Sequence, residues 1–207
     1  MKSQKNALKL LGLIMTVVLM LYHTDTFAQV LPEYSAFPVA SIGLQGSTQG
    51  FGVQGSKSFA RVFDFRAGFN TIPGFHIQYN DRFLQIFRAS VYAIVDYQPL
   101  YGSNEWFGRK WFISAGAAYY FSNNIYRQGV GDVPNYYIYM SRFRPYIGTG
   151  LGNLHLFNDI NIRLDMGYYI PTTAASSTYD GRATKVTSGL RGLLPGLNTG
   201  ITVYFKF

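Results

Sequence analysis

From Val39 to the C-terminus, apolar residues repeatedly alternate with polar or small ones at a period of two. Successive side chains of a β-strand point to opposite faces, so this pattern predicts strands with one apolar and one polar face. The runs are 9 to 15 residues long, so each can cross a bilayer as a tilted strand, which takes roughly 9 to 11 residues. The eight predicted strands are Val39–Ser47, Gly50–Ser58, Arg61–Asn70, Phe83–Tyr97, Lys110–Phe121, Tyr137–Gly150, Asp159–Ile170 and Leu197–Phe207. We therefore predict an all-β fold, an eight-stranded antiparallel up-and-down transmembrane β-barrel.

The polar face decides between this fold and a soluble alternative. A soluble β-sandwich or lipocalin-like barrel would turn the apolar face inward and leave the polar face in water. A membrane barrel would turn the polar face inward, where its charges have to pair. An eight-stranded barrel is just wide enough to be filled by side chains, so we expect a paired ionic network in the lumen. Its predicted members are Asp64, Arg66, Arg88, Asp96, Arg142, Arg144, Arg163 and Asp165.

The connections differ in length between the two ends of the predicted barrel. Short ones, around Phe59–Ala60 and Asn153–Asn158, are typical of periplasmic turns. Thr71–Arg82, Ser122–Tyr136 and Pro171–Pro195 are longer and predict extracellular loops. The last of these carries Arg182, Lys185 and Arg191, which would suit the anionic headgroups of lipopolysaccharide, although a solvated loop would have the same composition.

Both ends of the chain carry features of export. Lys2, Lys5 and Lys9 precede a 13-residue apolar stretch, Leu10–Tyr22, and a small-x-small cleavage site ends at Ala28. This predicts a signal peptide over residues 1–28 and a barrel domain over 29–207. A retained anchor is the alternative, but the apolar stretch is shorter than the ~20 residues that a membrane helix needs. At the other end, Phe205 and Phe207 look like the sorting signal that the barrel-assembly machinery reads.

Composition supports a membrane strand protein. Aromatic residues make up 17% of the chain and charged residues 14%, against the ~25% of soluble domains. No cysteine is present, which excludes a disulfide scaffold, a thiolate metal site and a cysteine nucleophile. Without the signal peptide, 15 basic and 9 acidic residues leave a net charge of +6. These charges are scattered singly, so anionic lipid is a more natural partner than nucleic acid.

Several segments resemble the short outer-membrane β-barrel proteins of the Bacteroidota, a poorly characterised family related in architecture to eight-stranded barrels. The resemblance implies this fold and the outer membrane of a Gram-negative bacterium, and it implies no activity. It covers most of the mature chain and rests on Gly50-Phe51-Gly52-Val53-Gln54-Gly55, Phe65-Arg66-Ala67-Gly68-Phe69-Asn70, Ile94-Val95-Asp96-Tyr97-Gln98-Pro99, Ser114-Ala115-Gly116-Ala117-Ala118-Tyr119-Tyr120, Pro145-Tyr146-Ile147-Gly148-Thr149-Gly150-Leu151-Gly152, Leu164-Asp165-Met166-Gly167 and Phe27-Ala28-Gln29.

Residues that could carry chemistry are few, and we expect no catalytic site, metal or cofactor. His76 and His155 fall in connections on opposite sides of the membrane, so they cannot share a centre. Gly148–Gly152 looks superficially like a dinucleotide loop, but it opens no helix. We expect a structural or interaction protein, such as a membrane stabiliser or an accessory subunit with a protein partner in an outer-membrane complex. A narrow anion-biased channel is the second hypothesis, and a lipid A-modifying enzyme that uses His76 is the third.

Overall fold

The described part of the chain folds into β-strands joined mainly by hairpins, and it contains one short helix. The structure is a computed structural model that describes residues 35–79, 82–129, 131–179, 181, 183 and 195–207. Within them, no helix is both long and apolar enough to cross a membrane. The elements are β1 Ala40–Ser47, β2 Gly50–Ala60, β3 Phe63–Tyr79, β4 Arg82–Tyr97, α1 Trp106–Lys110, β5 Trp111–Arg127, β6 Tyr136–Tyr139, β7 Phe143–Phe157, β8 Ile160–Tyr169, β9 Ser176–Ser177 and β10 Leu197–Lys206.

The eight long strands close into a barrel. Each pairs antiparallel with the next long strand along the chain, and β4 and β5 join the two halves of the sheet. The first and last strands complete the circle, with Gly43 opposite Tyr204 and Gln45 opposite Thr202. The prediction of an eight-stranded antiparallel up-and-down barrel is confirmed.

The apolar faces of the strands point outward. On β1, Leu44 is 69% exposed while the next residue, Gln45, is 5% exposed. On β5, Ile113 and Tyr119 are exposed, whereas the inward Ser114 is buried. This orientation is the reverse of a soluble sandwich or lipocalin-like barrel, in which the apolar residues form the core.

Two predicted loops are wrong in part, because the strands continue through them. Thr71–Tyr79 belongs to β3, and β5 runs to Arg127. Pro73 and Gly74 read as a turn in the sequence, but the structure absorbs them as a bulge between Pro73 and Phe75, with Gly74 at a φ of 69°. A bulge of this kind lets a strand continue past residues that would otherwise end it.

The predicted strand Tyr137–Gly150 is divided in the structure. Its first part is β6, which pairs with the far end of β5 and with β9. Its second part is β7, which begins only at Phe143. Residues 140–142 lie between the two strands, which both run antiparallel to β5, so they interrupt the pairing without reversing the chain.

The barrel has two different ends. At the terminal end, where β1 begins and β10 ends, the connections are residues 61–62, 98–110 and 158–159. At the loop end they are residues 48–49, 80–81, 128–142 and 170–196. Beyond the barrel at the loop end, β3 to β6 and β9 form a projecting wall with its own apolar cluster. This cluster contains Ile125, Tyr136, Ile138 and Met140.

Barrel closure predicts a specific chemical cross-link. Leu44 and Val203 face each other on β1 and β10, and directly paired residues have Cβ atoms about 4.5–5.5 Å apart. In the double variant Leu44→Cys, Val203→Cys, a short membrane-permeant bis-thiol reagent should join the two strands. The product would be a nearly circular chain whose migration in a denaturing gel differs from that of the linear chain.

The matched control is Leu44→Cys with Ile147→Cys. Ile147 also faces outward, but β10 and β8 separate its strand from β1. Equal cross-linking of both variants, or none of the first, would contradict the closed barrel.

Candidate functional site

An ionic network fills the middle of the lumen. Asp96 pairs with two guanidinium groups: Arg66 Nε lies 3.0 Å from its Oδ2, and Arg163 Nη2 donates to the same oxygen. Asp165 Oδ1 lies 2.9 Å from Arg66 Nη2 and 3.4 Å from Arg163 Nε. Asp64 Oδ2 lies 3.6 Å from Arg163 Nη1. Five of the eight predicted network members therefore come together.

Strand register explains why these residues meet. Asp64 on β3 is directly opposite Asp96 on β4, and two like charges in such a pair repel each other. Arg163 reaches across the lumen from β8 and contacts both carboxylates. Hydroxyl groups add further support, since Ser114 Oγ donates to Asp96 Oδ1 at 2.5 Å. The pairing thus crosses the barrel and holds opposite walls together.

An aromatic layer lies beside the ionic network. Tyr92, Tyr120, Tyr146 and Tyr169 are each at most 5% exposed and pack with Ile94 and Ala118. The Tyr92 hydroxyl lies 2.6 Å from Gln45 Oε1 and 2.9 Å from Gln54 Oε1, and it can donate its one hydrogen to either oxygen.

Glycines in the wall make room for these rings. A Cβ atom at Gly148 would lie 2.7 Å from Tyr146 Cζ, and one at Gly167 would lie 2.6 Å from the same atom. Both distances are too short for a real contact. The glycine-rich segment Gly148–Gly152 therefore serves packing in the lumen, as part of β7.

At the terminal end, the chain preceding β1 enters the barrel and covers the ionic network. Ser35, Ala36 and Phe37 are almost completely buried. Ala36 N–H donates to Gln98 Oε1 at 2.8 Å, and the Phe37 ring lies 5.6 Å from that of Phe112. The Arg163 guanidinium carbon is 4.2 Å from the centre of the Phe112 ring, so this side of the network is closed by aromatic rings.

Lys110, at the end of α1, links the connection between β4 and β5 to β7. Its Nζ donates to the carbonyl oxygen of Asn153 at 2.8 Å. Partial burial, and after it the charge of Arg109, lowers the pKa of the Lys110 ammonium group.

Arg88 and Arg144 also point into the lumen, but at the loop end and away from the carboxylates. They lie against the ring of Tyr120, at 5.9 and 5.6 Å from its centre. Arg88 Nη1 donates to Gln49 Oε1 at 2.9 Å, and the Tyr120 hydroxyl donates to the same oxygen at 2.9 Å. These two arginines form a second, separate cluster.

The prediction for Arg142 is wrong, because its side chain is exposed. In an unbroken strand, Arg142 and Arg144 would share the inward face. The strand begins only at Phe143, however, so Arg142 lies in the connection and turns to the outside while Ser141 is buried.

The predicted sorting signal is in the described part of the chain, whereas the predicted headgroup-binding loop residues and the signal peptide are not. Phe205 and Phe207 lie at the terminal end and are exposed, at 49% and 69%. Arg182, Lys185 and Arg191, and the signal peptide, fall outside the described residues.

The two histidines lie at opposite ends of the barrel and are exposed. His76 is on the extended part of β3, beside a shallow cavity lined also by Phe83, Gln85, Tyr126 and Gln128. His155 is on β7 close to its turn. In the part of the chain that the structure describes, no group of histidine, cysteine and acidic residues could hold a metal ion.

Sequence reasoning missed some residues that fill the lumen. Phe112 could have been found, because it lies on the inward face of a predicted strand. Gln49 and Phe37 could not, since they lie outside the predicted strands and give no periodic signal.

Two solved structures share this fold. The crystal structure of Acinetobacter baumannii CarO is 16% identical, with a TM-score of 0.55, and the match covers 83% of this chain and 98% of CarO. Acinetobacter baumannii CarO2 is 15% identical, with a TM-score of 0.55, and the match covers 81% of this chain and 98% of CarO2. At these identities the likeness shows the fold alone. No protein-family model and no curated protein matches the chain, so the resemblance to the Bacteroidota barrels stays a prediction.

The ionic network predicts a large effect of Asp96→Asn on stability. The substitution removes the charge that two buried guanidinium groups share, and breaking a buried pair costs about 3–5 kcal/mol. We expect the urea concentration at half-unfolding, measured in phosphatidylcholine vesicles, to fall accordingly.

Asp159→Asn is the control, because it makes the same chemical change at an exposed carboxylate. Its effect should stay within about 0.5 kcal/mol. Equal midpoints for the two variants would show that the network does not stabilise the barrel.

Proposed function

We propose that the protein is a sealed β-barrel of the outer membrane of a Gram-negative bacterium, with a structural or interaction role. The observation that carries this proposal is the combination of an apolar outer surface with an ionic interior. Contact with lipid requires an apolar outer surface. A closed barrel also pairs the backbone N–H and C=O groups of every strand with its neighbours, so no strand edge is left unpaired.

The outer surface supports a membrane location. Its exposed residues lie on strands all around the barrel and include Leu44 on β1, Val53 on β2, Val91 on β4, Ile113 on β5 and Ile147 on β7. In water, an apolar surface of this extent would cause aggregation. In a bilayer it contacts hydrocarbon, and no compensating partner is needed.

The filled lumen supports a sealed barrel over a channel. From the terminal end to the loop end, the Ser35–Phe37 segment, the ionic network and the aromatic layer lie one after another along the barrel axis. A narrow anion path would need the arginines to face a continuous aqueous space. Arg66 and Arg163 instead bind carboxylates and are almost fully buried.

The two longest connections, residues 128–142 and 170–196, both lie at the loop end and support an assignment of sides. Short connections are typical of the periplasmic end of such barrels and longer ones of the extracellular end. The terminal end would then face the periplasm, where Phe205 and Phe207 would be available to the barrel-assembly machinery. The projecting wall would lie on the extracellular side of the membrane, where it could contact lipopolysaccharide or another protein of an outer-membrane complex.

Enzymatic activity is not part of this proposal. A lipid A-modifying enzyme of the serine type needs a base within hydrogen-bond reach of its nucleophile. The residues that line the cavity beside His76 include neither a serine nor an acidic residue.

Planar bilayers test whether the barrel is sealed. Full-length mature protein, inserted from detergent, should give no steady single-channel steps, because side chains block the path on both sides of Arg66. Insertion is checked in the same preparation by protease protection of the reconstituted protein, and a wide porin serves as the positive control.

Steady unitary steps that depend on the protein would overturn the sealed barrel and support the channel hypothesis. The reversal potential in a salt gradient would then show whether the path prefers anions, as an arginine-lined path should.

A further inference from the structure

The loop end of the lumen holds a buried positive cluster, and no carboxylate of the described residues pairs with it. Arg88 and Arg144 are 6% and 3% exposed, and each donates to the carbonyl oxygen of Pro195, at 3.4 and 3.1 Å. Both also face the Tyr120 ring. Among the described residues, neither has an acidic group within ion-pair distance, whereas Arg66 and Arg163 have three between them.

Each of the three nitrogens of Arg88 donates to a neutral oxygen. Its Nε donates to Asn123 Oδ1 at 3.3 Å, its Nη1 to Gln49 Oε1 at 2.9 Å, and its Nη2 to Pro195 O. Arg88 therefore contributes charge to the cluster, and each of its nitrogens already donates to a protein oxygen.

Arg144 has a nitrogen, Nη2, that is available to bind a ligand. Its Nε donates to Ser141 Oγ at 2.9 Å and its Nη1 donates to Pro195 O. Its Nη2 has no hydrogen-bond partner in the described part of the chain. Ser141 Oγ accepts from Arg144, which leaves the hydroxyl hydrogen of Ser141 to bind another acceptor.

A cavity opens onto this arginine. It has a volume of about 290 Å³ and is lined by Arg144 and Ser141 together with Met140, Tyr168, Pro171 and Thr173, among others. The polar donors lie on one side and apolar groups form much of the rest of the wall. A cavity of this size admits a small molecule but excludes a polymer chain with bulky groups.

We propose that this cavity binds a small oxyanion, a phosphate or a carboxylate, through Arg144 Nη2 and the Ser141 hydroxyl. A buried charge without a counter-ion is costly, and an anion in the cavity would neutralise it. Charge-assisted hydrogen bonds from a guanidinium to an oxyanion are among the strongest in proteins. Arg88 would strengthen the attraction from behind Arg144, without contact with the ligand.

The same chemistry can come from two sources, a free anion or the phosphate of a lipid headgroup. The site lies at the loop end of the barrel, close to Tyr168 and the exposed Pro171, so both sources can reach it. The test therefore has one experimental arm for each source.

The first arm uses inorganic phosphate and the full mature protein in zwitterionic detergent. The thermal unfolding midpoint is measured against phosphate at constant ionic strength, with chloride as the reference anion. A ligand that binds only the folded state raises the midpoint in a saturable way. Arg144→Gln should weaken the apparent affinity at least about tenfold, since it removes a charge-assisted hydrogen bond.

Arg142→Gln is the matched control, because it removes the same charge from an exposed side chain two residues away. It should keep the wild-type response. If Arg144→Gln does not fold, Ser141→Ala takes its place: it keeps the guanidinium group, removes the second donor, and should weaken binding severalfold.

The second arm compares vesicles of phosphatidylcholine with and without phosphatidic acid. If a lipid headgroup is the ligand, phosphatidic acid raises the midpoint of the wild type and of Arg142→Gln but not of Arg144→Gln, and free phosphate has no effect. The proposal is overturned if neither probe gives a saturable shift, or if Arg144→Gln responds as the wild type does. Both arms are independent of whether the lumen conducts.

Discussion

The carboxylate of Asp96 between Arg66 and Arg163 is the interaction on which the barrel depends most. The adjacent strands β3 and β4 and the distant strand β8 send charged side chains to one point. Each charge is removed from water, so its burial is tolerated only because an opposite charge meets it. In a barrel whose outer face is apolar, the lumen is the one place where these strands can be joined by polar contacts.

Along the barrel axis, the interior is divided into aromatic layers and charged layers. Aromatic rings from Phe37 and Phe112 cover the ionic network at the terminal end, and the tyrosine layer separates it from Arg88 and Arg144. The carboxylates and two of the arginines are thus confined to one half of the lumen. Among the described residues, the other two arginines donate only to carbonyl, amide and hydroxyl oxygens, so their positive charge faces the loop end.

Much of the fold follows from side-chain period. Alternation at period two gave the eight strands and their outward faces, since both depend on local sequence alone. The parity of Asp64, Arg66, Asp96, Arg163 and Asp165 placed them inward, and strand register then brought them together. These residues needed no information beyond the strands that carry them.

The rest depended on features that periodicity does not encode. Pro73-Gly74 reads as a turn but forms a bulge, so the length of β3 was underestimated. The break at residues 140–142 reverses the expected orientation of Arg142, and no local signal marks it. Burial of Ser35–Phe37 in the terminal end of the lumen, and the separation of Arg88 from the carboxylates, arise only when the whole barrel closes.

The central claim is that the apolar outer face of the strands contacts hydrocarbon. Because the chain has no cysteine, single spin labels can be placed at Ile113, Ala115 and Ala117 on β5, with Glu105 before α1 as an exposed reference. In lipid vesicles, the three β5 labels should be accessible to oxygen and protected from a water-soluble nickel complex, while the label at Glu105 shows the opposite. Access of the nickel complex to all three β5 labels would place that face in water and contradict the account.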